Sequence, residues 1–185
     1  LTYSFTKNNN LSHSGTESNV YSWTYRACPY VPVYDSEGNY AGSKIAGTGN
    51  WQNPVAILER NQDNYYTTQR VFGNIYAEVD FMKGLTFKTN FGLDYRNDYY
   101  YAISKKNPEF SETTGQNSFS ENNYFNYRWV WTNTLNFNRT FNEKHAVTVL
   151  LGTEAIRDGL GRTLYGYRTN YLFEDNPNTY TLTMG

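Results

Sequence analysis

The sequence predicts an all-β chain, an antiparallel, curved sheet forming part of a large transmembrane β-barrel with long extracellular loops. Three observations carry that prediction. Long segments alternate between apolar and polar residues, tight turns alternate with long polar connections, and aromatic rings gather toward both ends of the apolar face.

Alternation of period two marks a strand with two unlike faces. Over residues 70–82 the odd positions Val71, Ile75, Ala77, Val79 and Phe81 are apolar, whereas Asn74, Tyr76, Glu78 and Asp80 occupy even positions. Over 85–101, Leu85, Phe87, Phe91, Leu93 and Tyr95 stand against Lys88, Asn90, Asp94 and Arg96. Over 124–141, Phe125, Tyr127, Trp129, Trp131, Leu135 and Phe137 stand against a polar set that includes Arg128. Asn133 interrupts the apolar series, and no sequence pattern explains it. Over 145–155, Val147, Val149 and Leu151 oppose Thr148, Gly152 and Glu154, with Leu150 on the polar side.

Alternation alone also suits a soluble sandwich. Length separates the two: these segments run ~11–18 residues, against ~5–6 for globular strands and ~9–11 for a tilted membrane crossing. Lys83-Gly84 and Asn142-Glu143-Lys144 read as tight turns, while residues 102–123 form a long Ser/Asn/Glu/Thr-rich connection. In an antiparallel meander the tight turns then share one side and the long connections the other, the layout of outer-membrane barrels. Phe81, Phe87, Phe137 and Phe141 lie near the tight turns, and Tyr95, Tyr99, Tyr101, Phe125, Tyr127 and Trp129 near the long loop. Rings at both interfaces and aliphatics between them fit a membrane-crossing strand. Asn74, Tyr76, Glu78, Asp80, Lys88, Asn90, Asp94, Arg96, Arg128 and Glu154 are then the candidates for facing the barrel lumen.

The chain is therefore expected to be a partial barrel domain over 1–185, with 6–68 a long extracellular loop region and 69–185 barrel strands and loops. Within the loop region, PYVPVYDSEGNYAG (29–42) predicts a β-hairpin. NPVAILER (53–60) predicts a short helix with Asn53 as N-cap and Pro54 in the first helical position. The loop rings Trp23, Tyr30, Tyr34, Tyr40 and Trp51 are candidates either for contact with a partner or ligand, since Tyr and Trp give large contact area at low entropic cost, or for packing the loop against itself.

Composition excludes several functions. A mean hydropathy of -0.76 with 18% aromatic residues suits rings placed at wet–dry boundaries better than a plain soluble core. The net charge of -1 gives no reason to expect nucleic acid. Cys28 is the only cysteine, and His13 and His145 are the only histidines, so no metal or cofactor site is expected. Asp35, Glu37 and Asn39 resemble part of a calcium loop, but Ala46 stands where its closing carboxylate belongs. Carboxylates such as Glu78, Asp80, Asp94 and Glu154 could serve glycoside hydrolysis, but a polar lumen accounts for them more simply. No nucleophile motif is present, so no catalytic residue is expected. The strand-like ends LTYSFT and TLTMG suggest an internal piece of a longer barrel.

Four phrases carry a family resemblance: PYVPVYDSEGNYAG, NPVAILER, RVFGNIYAEVDFMKGLTFKTNFGLDY and WTNTLNFNRTFNEKHAVTVLLGTEA. In this order, they resemble the SusC/RagA family of TonB-linked outer-membrane proteins of Bacteroidetes. The resemblance implies a 22-strand barrel filled by a plug domain that lies outside this chain. It implies a cell outer membrane location in Gram-negative bacteria and import of oligosaccharides or peptides, driven by TonB and assisted by a SusD-like lipoprotein. It also implies contact with outer-membrane lipid. The alternative from the residues is a soluble or surface-anchored β-rich glycan-binding protein.

Overall fold

The structure, a computed structural model, describes residues 1–9, 19–171 and 176–182; His13 and the last three residues lie outside them. Six strands form one sheet: β1 (Thr2–Asn9), β2 (Tyr65–Met82), β3 (Leu85–Ser104), β4 (Ser118–Phe141), β5 (His145–Arg157) and β6 (Arg162–Thr169). Their order is β1-β2-β3-β4-β5, with β6 also pairing β4. Among the described residues the sheet is open, with β1 and β5 at its edges, as expected for part of a barrel.

Two short helices, α1 (Val20–Arg26) and α2 (Pro54–Arg60), precede β2. The chain divides into two compact units. One comprises Leu1–Thr6, Thr68–Asp98 and Tyr124–Thr163; the other comprises Lys7–Thr67, Tyr99–Asn123 and Leu164–Gly185.

The first unit is a single-layer sheet whose two faces obey the predicted parity. Cross-strand side-chain bonds on the polar face join even to even, as in Arg70 to Asp94, Asn74 to Asn90 and Thr86 to Asp80. The apolar face joins odd to odd, as in the ring pairs Phe81–Phe87 and Phe91–Trp129, 6.3 and 6.1 Å apart. Ile75 and Leu151 are each 62% exposed, and among the described residues no second layer of this unit covers that face. Asn133 now has an explanation. Its carboxamide donates to Thr153 Oγ1 at 3.4 Å, and the same two residues are paired across β4 and β5. The indole of Trp131 likewise donates to Thr89 Oγ1 at 2.9 Å. Polar atoms on the apolar face thus satisfy one another.

This parity depends on the turns. A two-residue hairpin would set odd positions of one strand against even positions of the next, exchanging the faces. Between β4 and β5, Phe141 pairs with His145, leaving three residues in the turn. Asn142 and Glu143 adopt φ of 48° and 57°, the primed-turn conformation whose twist suits a hairpin. Between β2 and β3, Gly84 adopts φ 88°, the left-handed conformation that glycine takes most readily in a tight turn. Gly84 also touches β4, accepting a 2.7 Å bond from Asn138 N, and a Cβ there would collide with the Asn138 carbonyl oxygen. Both tight turns therefore lie at one end of the sheet. Gly84→Ala is expected to cost about 1–3 kcal/mol, read as a lower temperature for loss of the folded band on gels of the full-length protein.

The second unit contains most of what the sequence suggested was loop. The hairpin is present in miniature, as a single antiparallel bridge between Tyr34 and Tyr40, with Gly38 at φ 86° and Asp35 Oδ1 accepting from the amides of Glu37 and Asn39. Those amides, Asn39 first, hold the Asp35 carboxyl below the usual carboxylate range. Helix α2 begins as predicted, with Asn53 capping Val55 and Ala56 and Pro54 in the first turn. The other end of the Asn53 amide donates to the carbonyls of Val33 and Ala41. One buried side chain therefore joins hairpin to helix.

Several expectations are corrected here. Residues 20–26, read as part of an irregular excursion, form α1, capped by Asn19. β1 and β2 trim the region at both ends, reaching Asn9 and beginning at Tyr65. The loop expected over 102–123 narrows to 105–117, because β3 continues to Ser104 and β4 begins at Ser118. Polar composition concealed those ends. Phe119 is wholly buried with Ile103, Tyr171 and Tyr180, and the Asn64 side chain pairs with both the N–H and the C=O of Ile103. β6 was not expected beyond a partial end strand. Tyr99 and Tyr101, expected as bare interfacial rings, instead pack with Tyr65, Tyr101 stacking on it at 5.0 Å. The Tyr99 hydroxyl donates to Glu121.

Candidate functional site

The polar face of the first unit brings together most of the predicted lumen residues. Strand alternation points them one way, and their spacing across β2, β3 and β4 lets opposite charges meet. Asp94 accepts two 2.9 Å bonds from the Arg70 guanidinium. Lys88 reaches Glu78 at 3.6 Å and lies over the Tyr76 ring at 4.8 Å. Asn74 and Asn90 share a 2.7 Å bond, and Asp80 accepts from Thr86 at 2.5 Å. Arg96 is held by Asp98 at 2.8 Å, and Asp98 also accepts from Thr68. Glu154 sits opposite Thr132 on β5, apart from this lattice.

Toward one end of the lattice a depression of about 370 Å³ is lined by Arg70, Asp94, Arg96, Tyr124, Arg128 and Asp158. Asn126 also lines it, with a carboxamide oxygen that is buried and has no hydrogen-bond partner. Sequence reasoning named Asp94, Arg96 and Arg128 but missed Arg70, at the edge of the expected strand, and Asp158, beyond its end. The signal was available for Arg70, since it has the even parity of Asn74 and Glu78. Asp158 lies in the short break between β5 and β6, where parity gives no guide. Apolar Phe72, Val130, Leu150 and Ile156 share this even parity, and nothing in the structure explains Leu150.

The loop candidates separate. Trp51 is 3% and Trp23 6% exposed, and with Ile57 they form a small core. These two rings hold the unit together instead of presenting a surface, so for them the packing alternative applies. Tyr34 and Tyr40 lie 5.4 Å apart, and both hydroxyls donate to the Glu59 carboxylate. Burial, then Glu59, pushes the Tyr40 hydroxyl up to about 12. Tyr30 alone of the five is nearly bare, at 79% exposed. Among the described residues no group of three or more His, Cys, Asp or Glu is placed to hold a metal, and no helix is long and apolar enough to cross a membrane.

Comparison with known proteins gives the sheet a context. The chain is 32% identical over 127 residues to TonB-dependent receptor P39 of Formosa agariphila, a match covering 67% of this chain and 11% of that protein. It is also 32% identical over 83 residues to TonB-dependent receptor P3 of the same organism, covering 42% of the chain and 8% of that protein. No protein-family model matches. The chain is thus similar to a small part of each of two TonB-dependent receptors.

Proposed function

We propose that this chain is a section of the wall of a TonB-dependent outer-membrane transporter of the SusC/RagA kind. In this reading it is not an enzyme. The observation that carries the proposal is the two-faced single-layer sheet. Its odd face is apolar, ringed and bare, as lipid contact requires, and its even face carries an ionic lattice suited to a wet lumen. A soluble glycan-binding sheet would need a second layer over Ile75, Val79, Phe91 and Leu151, because exposed apolar patches of that extent mark interaction surfaces.

The even-face residues from Asn74 to Glu154 then line the path of an oligosaccharide or peptide, with TonB engaging a part of the protein outside this chain. Residues 6–68 belong to the extracellular side, 69–185 to the wall and its loops, and the second unit meets a SusD-like lipoprotein. Tyr30 is the best-placed ring for that contact. In the full-length protein, Tyr30→Ala is expected to weaken co-purification of the lipoprotein, or ligand uptake, by at least about tenfold while the barrel assembles normally. Trp51→Ala should instead destabilise the unit. Unchanged uptake and co-purification in Tyr30→Ala would remove the contact from this reading.

A further inference from the structure

The depression on the polar face contains three guanidiniums in three different situations. Arg70 is locked to Asp94 by two hydrogen bonds, and Arg96 is held by Asp98. Arg128 faces Asp158 across 3.8 Å, beyond hydrogen-bond reach, and both side chains are more than half exposed, at 53% and 61%. The other oxygen of Asp158 accepts from the Gly159 amide at 2.7 Å, in a break where Gly159 adopts φ 70°. The carboxylate is thus turned toward its own backbone, and it balances the charge of Arg128 without occupying its donors. Asp94 lines the same depression, but both of its oxygens accept from Arg70.

We propose that Arg128 is the anchor for a carboxylate on the transported ligand, and that Asp158 is a resident counter-ion which the ligand displaces. This inference rests on the even face lining the transport path. The planar fork of a guanidinium matches a carboxylate with two parallel bonds. A ligand carboxylate therefore gains on Arg128 what Asp158 does not take, while Arg70 and Arg96, already paired, stay as they are. The shared chemistry has two sources, a uronic acid in an oligosaccharide or the C-terminus of a peptide.

The test uses the full-length protein in detergent and four probes: trigalacturonate, its methyl ester, trialanine, and trialanine amide. One acid of the two pairs should bind at least about tenfold more tightly than its neutral counterpart, as a charge-assisted pair of bonds implies. Arg128→Ala should erase that preference, while Asp158→Asn should strengthen acid binding by about threefold to tenfold, because the competitor has gone. Which acid responds distinguishes sugar from peptide. Equal binding of acid and neutral probes, no binding of either acid, or an acid preference that survives Arg128→Ala would overturn the proposal. Normal barrel assembly in the same preparation shows that the wall reading stands apart from such a failure.

Discussion

Arg60→Ala is expected to destabilise the second unit by about 3–5 kcal/mol, the cost of leaving a buried charge without its partner. The Glu109 side chain is only 6% exposed and that of Arg60 17%, with a second bond between them at 2.9 Å and the guanidinium lying over the Tyr40 ring. Glu109 cannot easily swing out to water. Its carbonyl accepts from Lys44 N at 2.9 Å, and it packs so closely on Gly42 that a Cβ there would lie 2.7 Å from that oxygen. Beside it, Ser43 bonds Ser111 and Asn50 bonds Glu112, so the segment before α2 and the 105–117 loop are sewn together around this pair. Replacing both partners, Arg60→Met with Glu109→Leu, should cost far less than Arg60→Ala, since neither charge is then stranded. Unfolding followed by tryptophan emission, with Trp23 and Trp51 buried in this unit, gives the measurement. An Arg60→Ala midpoint equal to the parent's would mean that the pair is dispensable.

Ile75→Arg should block assembly of the full-length protein, whereas Asn74→Arg should not. A guanidinium facing lipid near the bilayer midplane costs about 2–4 kcal/mol, and Ile75 lies on the bare odd face. One residue away, Asn74 points into the polar lattice and bonds Asn90, where an added charge meets water and nearby carboxylates. Heat-modifiable migration on gels reports folded barrel directly. Equal folded fractions for the two variants would show that the faces do not meet different solvents.

The strands of the first unit were legible because each residue there answers to one of two surroundings, and a period of two records the choice. The tight turns, the capped helix at Asn53 and the Asp35–Asn39 hairpin were legible too, since each depends on a few adjacent residues. The second unit was not, for the opposite reason. Its order comes from side chains imitating backbone, such as Asn53 on Val33 and Ala41 or Asn64 on Ile103, and from the distant ion pair of Arg60 with Glu109. Asn, Ser and Glu in such roles leave the same compositional trace as a solvated loop. Of the candidate site, the parity identified which residues share a face. It could not foresee that Arg128 would be paired loosely with Asp158, because that depends on where a turn happens to carry a carboxylate.

The three-residue count of the 142–144 turn has a consequence for how such a chain tolerates change in length. Losing one residue from the 142–144 turn would rotate β5 by half a pleat. Thr148, Gly152 and Glu154 would then replace Val147, Val149 and Leu151 on the apolar face, and those three would join the polar one. Insertions and deletions in that turn are therefore confined to even steps, whereas the 105–117 segment has no such counting rule on its length. The arithmetic of that turn, more than any single side chain, decides which face each residue of β5 occupies.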